Sequence, residues 1–191
     1  MTGQKFYKDF MVDVETTGLE PNRHALLQIS AVPFDFYTRE ISGVFFDKCL
    51  QIPNWRHCSE QTMTWWHTQN LEVFKDIVTR AEAPGGVMDL FAQFVKDISG
   101  NCGNRETRFW YKRPFDWQFV EGYFRDFSVA SPFHYHNAIE MTAYLKGAGR
   151  DISVVQLPIK SDGPAHNAYY DACLQIKKLF TTIDHYKEVQ K

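Results

Sequence analysis

The sequence lacks any cysteine arrangement that is typical of a disulfide framework or a zinc site. Its four cysteines form no CxxC pair and no repeated spacing; they are Cys49, Cys58, Cys102 and Cys173. Disulfide-stabilised secreted domains and zinc-binding domains both need such spacing. We therefore expect reduced thiols and a cytoplasmic protein.

Long apolar segments are also missing. The first nine residues include Lys5, Lys8 and Asp9 and contain no apolar run, so no secretory signal is predicted. No stretch approaches the roughly 20 apolar residues that a membrane-spanning helix needs. These absences predict a soluble, intracellular protein that has no membrane partner.

An excess of positive charge is missing as well. The chain has 21 Lys and Arg against 23 Asp and Glu, so its net charge is −2. This balance is a poor fit to a protein that binds nucleic acid by electrostatics alone. Two bound divalent cations would change the net charge to +2. The composition is therefore compatible with a metal-dependent nuclease.

What the sequence does contain is enough apolar material for one domain. Hydrophobic residues make up 44% of the 191 residues and aromatic residues 16%, and a chain of this length can bury a substantial core. Most of the rings must lie in that core, although some are candidates for stacking on bases. Because no repeat or linker divides the chain, we predict a single domain over residues 1–191.

The first half of the chain is predicted to form a meander of three strands followed by helices. The strands are expected at 10–14, 26–36 (interrupted near Pro33) and 41–50. Helices are expected after two N-caps, from Ser59 to residue 68 and from Asn70 over 71–81. A chain break at 83–86 should precede a further helix over 87–99.

The second half is predicted to alternate between strands and helices. Strands are expected at 108–111 and 133–136. Helices are expected at 115–126, from an Asn137 N-cap to residue 145, and at 168–183. A meander followed by alternating elements indicates a mixed sheet with helices packed on it, which is an α/β three-layer fold.

The segment Asp13-Val14-Glu15-Thr16-Thr17-Gly18 is the first feature with chemical meaning. Alternate residues of a strand point to one side, so Asp13 and Glu15 project together while Val12 and Val14 face the core. Two adjacent carboxylates repel each other unless a cation neutralises them, and oxygen ligands suit Mg²⁺ or Mn²⁺ rather than zinc. Taken alone, such a pair is also common at a solvated strand end.

Two further motifs contain acidic residues at helix starts. Asp116 follows Phe115 at the beginning of a predicted helix, where an Asp that only satisfies the helix dipole is the simpler interpretation. His166 precedes the last helix and Asp171 lies within it. An accessible histidine there is suited to taking a proton from water, although a helix-start His and a surface Asp without a role are the simpler interpretation of each residue taken alone.

In combination and in this order, the three motifs resemble the DEDD superfamily of 3′→5′ exonucleases, which have a ribonuclease-H-like fold. The sequence is most similar to the DEDDh branch, which includes ribonuclease T, oligoribonuclease and the proofreading subunit of bacterial polymerase III. The sister branch has a tyrosine four residues before the last Asp, where this chain has Asn167. His166, five residues before Asp171, is the mark of the DEDDh branch.

The resemblance implies a role for each motif residue. Asp13, Glu15 and Asp171 would ligate one metal ion, and Asp13 would bridge to a second ion that Asp116 supports directly or through water. His166 would be the general base. The expected cofactor is two Mg²⁺ ions, for which Mn²⁺ would substitute, because two such ions can stabilise both oxygens of an in-line phosphodiester displacement.

The segment from Ser59 to Trp66 is similar to one in phage and bacterial DEDDh exonucleases of the T-even phage exonuclease A type. The similarity implies that it borders the active-site cleft, where Trp65 or Trp66 would stack on the terminal base. A position of both rings in a helix–helix core is at least equally compatible with the sequence. Thr16 and Thr17 are predicted as substrate contacts together with these rings.

Two other groups of residues carry less information. A basic set precedes Asp116 and is expected either to follow the phosphate backbone or to form a solvated strand edge; its members are Arg105, Arg108, Lys112 and Arg113. His134 and His136 have no third ligand and are not predicted as a metal site.

The resulting hypothesis is a two-metal 3′→5′ exonuclease that releases nucleoside 5′-monophosphates from 3′ ends of single-stranded DNA or RNA. One alternative is a catalytically inactive ribonuclease-H-like scaffold that binds nucleic acid, which the retention of all four acids and the histidine disfavours. Another is a short-oligonucleotide phosphodiesterase. The sequence does not distinguish DNA from RNA, and a homodimer is considered because several relatives are dimers.

Overall fold

The computed structural model describes residues 5–152 and 160–189. Six strands form its central sheet: β1 (Asp9–Thr16), β2 (Leu26–Phe34), β3 (Phe46–Leu50), β4 (Ala81–Glu82), β5 (Arg108–Tyr111) and β6 (Ala138–Glu140). Their order across the sheet is β4-β3-β2-β1-β5-β6. The pairs β1–β2 and β2–β3 are antiparallel, whereas β5 and β6 join parallel beside β1. The sheet is therefore mixed and begins with the predicted meander.

Six helices accompany the sheet: α1 (Glu60–Gln69), α2 (Leu71–Thr79), α3 (Pro84–Ile98), α4 (Pro114–Asp126), α5 (Met141–Gly147) and α6 (Ala168–Val189). Apolar residues of α3 and α4, such as Phe91 and Phe119, pack with Val12 and Val14 of β1 on one face of the sheet. On the other face, Met11 of β1 packs against residues of α5 and α6. The three-layer α/β architecture is thus confirmed.

Helices α1 and α2 pack against each other, and α2 also packs against β2 and β3. Their apolar residues Trp66, Val73 and Ile77 form a smaller core with Leu27 and Cys49. The N-cap of α1 is the predicted one, since the Ser59 side chain accepts a hydrogen bond from the Thr62 N–H at 3.4 Å. A hydrogen bond from the Trp66 indole N–H to the Thr16 carbonyl connects α1 to the end of β1.

Strands β2 and β3 differ from the prediction at their ends. Strand β2 runs through Pro33 without interruption, because Pro33 lies beyond the residues that pair with β3 and a missing N–H is tolerated there. Strand β3 starts only at Phe46. The residues before it form a turn in which the Ser42 hydroxyl accepts a hydrogen bond from the Val44 N–H at 3.0 Å.

The predicted break at 83–86 is wrong, since residues 84–86 form the first turn of α3. Pro84 occupies a position at the helix start where its missing N–H has no intrahelical partner to lose. Gly85 faces the ring of Phe127 so closely that a Cβ atom would lie 3.2 Å from it. Helix α2 ends at Thr79, two residues earlier than predicted, and the chain then forms the short strand β4, which the sequence analysis missed.

The predicted strand at 133–136 and the predicted Asn137 cap are also wrong. Residues Tyr135–Asn137 form a 3₁₀ turn, in which the His134 ring accepts a hydrogen bond from the His136 N–H at 3.3 Å. The strand follows it as β6. Asn137 donates its side-chain amide to the carbonyl oxygens of Arg105 and Thr107, and Glu140 caps α5.

None of the helices that the structure describes is both long enough and apolar enough to span a membrane.

Candidate active site

A cleft of about 580 Å³ lies where β1 and β5 end and α6 begins. All five residues predicted as catalytic line it: Asp13, Glu15, Asp116, His166 and Asp171. They come from β1, from the first turn of α4, and from the beginning of α6 with the residues before it. The fold therefore brings together in one cavity three motifs that are far apart in the sequence.

Strand β1 supplies Asp13 and Glu15 to the cleft. Val12 and Val14 alternate with them and are buried in the core below, as the period of a strand requires. The side chain of Asp13 is buried and accepts a hydrogen bond from the Gln175 amide at 2.5 Å, and Glu15 is half-buried. Both carboxyl groups are thus held at a rigid and largely desolvated strand end.

Asp116 lies in the first turn of α4 and is only 1% exposed. Its Oδ2 accepts a hydrogen bond from the Arg113 N–H at 3.1 Å, which is the capping role that a simple interpretation assigns to it. Its Oδ1, however, is buried and has no hydrogen-bond partner among the described residues. A buried carboxylate oxygen without a partner is costly, and a cation in the cleft would satisfy it.

A hydrogen bond from the His166 backbone connects this residue to the Asp171 side chain. The Asp171 Oδ2 accepts a hydrogen bond from the His166 N–H at 3.1 Å, and His166 has a left-handed backbone with φ of 60°, a conformation in which histidine is enriched. One ligand atom each of Glu15, His166 and Asp171 lies within 4.8 Å of the others. The imidazole ring therefore faces the carboxylates.

Hydrogen bonds from neighbouring elements fix the chain around His166. The Asn70 side chain does not cap α2 as predicted; it donates to the Ala165 carbonyl at 2.6 Å. The buried Gln28 of β2 accepts a hydrogen bond from the Ala168 N–H at 3.1 Å and donates to Asp47 at 2.7 Å. The beginning of α6, and with it Asp171, is thus tied to the sheet.

The carboxyl groups strongly perturb one another. Burial, followed by the charges of Asp116, Glu15 and Asp171, raises the pKa of Asp13 well above its usual range. Burial, followed by the charges of Asp171 and Asp116, also raises the pKa of Glu15 well above its usual range. Burial raises the pKa of Asp116 to about 7. Without a compensating cation, the ionised cluster opposes folding.

A pH dependence of stability follows for the metal-free protein. Since the pKa of Asp116 is higher in the folded state, at about 7, than in an unfolded chain, about 4, the folded state binds more protons between these values. The free energy of unfolding therefore falls as pH rises through this window. In EDTA, we expect the wild type to lose about 2–4 kcal/mol relative to Asp116→Asn between pH 5 and pH 8.

Urea unfolding of both proteins across this pH range measures the difference, and the comparison cancels the titration of groups that do not interact with Asp116. A constant difference in stability between pH 5 and pH 8 would contradict the raised pKa.

The four residues predicted as substrate contacts differ in how far they are buried and in whether they line the cleft. Trp66 is buried in the smaller core and donates its indole N–H to the Thr16 carbonyl at 3.1 Å, which agrees with the core alternative, although it also forms part of the cleft lining. Trp65 is half-buried, lines the cleft, and contacts the His166 ring edge-on at 4.6 Å. Thr16 also lines the cleft. The fourth residue, Thr17, is fully buried, and its hydroxyl bonds the His57 carbonyl and the Ala25 N–H, which leaves it no contact with the cleft.

The four basic residues that precede Asp116 lie in different parts of the structure. Arg108 forms an ion pair with the buried Asp9 at 2.5 Å and serves the structure of the sheet. Lys112 and Arg113 line the cleft, whereas Arg105 is exposed and is not part of the cleft lining. His134 and His136 also lie outside the cleft lining.

The sequence analysis missed three residues of α6 that line the cleft beyond Asp171: Leu174, Gln175 and Lys178. They lie three, four and seven residues after Asp171, which is the spacing of one helix face. This periodicity was available in the sequence once Asp171 had been assigned to the cleft.

Comparisons with known proteins agree with this architecture. Residues 8–183 match the family model described as the 3′-5′ exoribonuclease Rv2179c-like domain. No curated protein matches the chain. A structure of cell-death related nuclease 4 (CRN-4) is similar, with a TM-score of 0.65, 17% identity, and coverage of 94% of this chain and 64% of that one.

Two structures of exonuclease I are similar as well. One has a TM-score of 0.68 and 12% identity over 91% of this chain and 40% of that chain. The other, E. coli exonuclease I in complex with a 5cy-dA13 oligonucleotide, has a TM-score of 0.62 and 14% identity over 91% and 40%. The chain thus spans about two fifths of the length of exonuclease I. These likenesses confirm the ribonuclease-H-like fold.

Proposed function

Because the chain belongs to the 3′-5′ exoribonuclease Rv2179c-like domain family, we propose that it removes nucleoside 5′-monophosphates from the 3′ ends of single-stranded nucleic acid. The enzyme class predicted from the sequence, a 3′→5′ exonuclease, agrees with this family. The observation that carries the proposal is the convergence of four acids and one histidine in a single cleft. An inactive scaffold would have no need to maintain so costly a cluster.

The donor set fits divalent cations with a preference for oxygen. All four acids present carboxylate oxygens, and one of these, the Asp116 Oδ1, is buried without a partner in the described part of the chain. Such sites suit Mg²⁺ and Mn²⁺. We assign Asp13, Glu15 and Asp171 to one ion, and Asp13 with Asp116 to a second. When bound, two such ions stabilise the charge on the attacking and leaving oxygens of the displacement.

His166 is the proposed general base. Its ring is exposed to the cleft beside Glu15 and Asp171, so a ring nitrogen can take the proton from a water molecule that attacks the terminal phosphodiester. Trp65 contacts the ring edge-on and limits its rotation. Trp65 also lines the cleft, and stacking of its ring on the terminal base would contribute about 1–3 kcal/mol.

RNA is the preferred substrate class in this proposal. The description of the family names an exoribonuclease, whereas E. coli exonuclease I has been captured with a DNA oligonucleotide. Matched 5′-labelled RNA and DNA oligomers, incubated with Mg²⁺ or Mn²⁺ and resolved by length, test both. We expect shortening by single nucleotides from the 3′ end, faster for RNA, and none in EDTA.

Internal cleavage or the absence of shortening would contradict the proposal. Activity on dinucleotides but not on longer oligomers would instead favour the short-oligonucleotide phosphodiesterase.

Cation binding is expected to stabilise the protein. Mn²⁺ or Mg²⁺ at 100 times its dissociation constant should add about 2.7 kcal/mol per site, which for a chain of this size raises Tm by about 5–10 °C. Differential scanning fluorimetry with Mg²⁺, Mn²⁺ and EDTA measures the shift. Asp116→Asn should retain only part of it, and an equal shift in wild type and variant would contradict the assignment of Asp116.

A further inference from the structure

The wall of the cleft next to the carboxylates is basic. Lys112 follows β5, the parallel neighbour of β1, and Arg113 comes directly after it; both line the cleft. Lys178 of α6 lines it too. The cavity therefore contains a group of cations as well as a group of acids, and the sequence analysis noticed only the two cations that lie near Asp116.

Helix geometry separates Lys178 from the acids. It lies seven residues, or two turns, after Asp171 on the same face of α6, which places the two backbone positions about 10 Å apart along the helix axis. His166 lies at the other end, before the helix begins. The cleft thus runs from His166 past the carboxylates to Lys178.

The positive charges of Lys112 and Lys178 repel each other. Both are half-buried. Burial and then the charges of Lys178 and Arg113 lower the pKa of Lys112, and the charges of Asp13 and Asp171 offset only part of this effect. Neither lysine forms an ion pair with any residue that the structure describes. The other two described lysines of α6 do form ion pairs at the surface, Lys177 with Asp162 and Lys187 with Asp184. Two partly desolvated ammonium groups in proximity favour an anion between them.

We propose that Lys112 and Lys178 bind a second phosphate group of the substrate, adjacent to the phosphodiester that is cleaved. This inference rests on the proposed function, which places the scissile phosphate at the carboxylates. The second phosphate has two chemical sources, which are the next phosphate toward the 5′ end and a phosphate on the terminal 3′ oxygen. In either case the enzyme would distinguish substrates by a charge that takes no part in the reaction.

Three substrates separate these sources: a dinucleoside monophosphate, its 5′-phosphorylated form and its 3′-phosphorylated form. In the wild type we expect kcat/KM for one phosphorylated form to exceed that for the unphosphorylated dinucleotide by at least about 10-fold, as one hydrogen bond between charged groups would give. Lys178→Met should remove most of this preference. Lys178→Arg should keep it, because the charge and the donor remain.

Lys187→Met is the matched control, since Lys187 is exposed on the opposite side of the same helix and the change in charge is identical. It should keep the full preference. The inference is overturned if the wild type shows no preference, or if Lys178→Met lowers kcat/KM for all three dinucleotides equally. Wild-type protein that hydrolyses none of the dinucleotides or longer oligomers would contradict the proposed function itself, and the inference with it.

Discussion

Asp13→Asn is expected to abolish the exonuclease activity and to leave the metal-free protein at least as stable as the wild type. The substitution preserves the size of a buried side chain that interacts with the charges of the three other acids and accepts a hydrogen bond from Gln175. It removes the carboxylate that is assigned to both cations. We expect kcat/KM to fall by more than about 10³-fold, or about 4 kcal/mol of transition-state stabilisation.

Stability should change in the opposite direction, because burial and, after it, the charges of the neighbouring carboxylates disfavour the ionised form of Asp13 and raise its pKa. Removal of that charge should add up to about 2 kcal/mol to the free energy of unfolding in EDTA at pH 8. Urea unfolding and the labelled-oligomer assay measure the two effects. Asp89→Asn, an exposed change on α3, is the control for loss of one negative charge. Full activity in Asp13→Asn would refute the site.

His166→Ala is expected to lower kcat by about 10²–10⁴-fold, the usual contribution of a general base. The backbone N–H that bonds Asp171 remains in the variant, so the acids should keep their arrangement. The thermal shift with Mn²⁺ should therefore be close to that of the wild type. Single-turnover kinetics and differential scanning fluorimetry measure the two quantities.

His134→Ala is the matched control, since His134 is a histidine outside the cleft lining, and it should retain full activity. If His166→Ala loses most of the Mn²⁺ shift, His166 is a metal ligand rather than the base. The proximity of its ring to Glu15 and Asp171 makes this comparison decisive. Unchanged kcat in His166→Ala would exclude both roles.

The layers of the fold were predictable because the strands and helices in them follow from the local spacing of apolar residues. The alternation along β1 identified Val12 and Val14 as core residues. Elements that depend on a distant partner were missed. Strand β4 has two residues and exists only because β3 lies beside it, and Asn137 bonds carbonyls of a preceding loop rather than a helix end.

The convergence of the four acids in one cleft was predictable for a different reason. No single motif distinguished Asp116 from an ordinary helix cap, and in the structure its Oδ2 does act as one. The order of the three motifs carried the prediction, and the fold places all of them in one cleft. The order of the motifs does not indicate how deeply the neighbouring side chains are buried. Thr17 is fully buried although the adjacent Thr16 reaches the cleft.

The central claim is that Asp13, Glu15, Asp116 and Asp171 together form a site for divalent cations. Anomalous diffraction from a crystal grown with Mn²⁺ tests it most directly. The account predicts two anomalous peaks in the cleft, each within bonding distance of oxygens from these four side chains. Crystals that contain Mn²⁺ elsewhere but show no peak among the four carboxylates would contradict it.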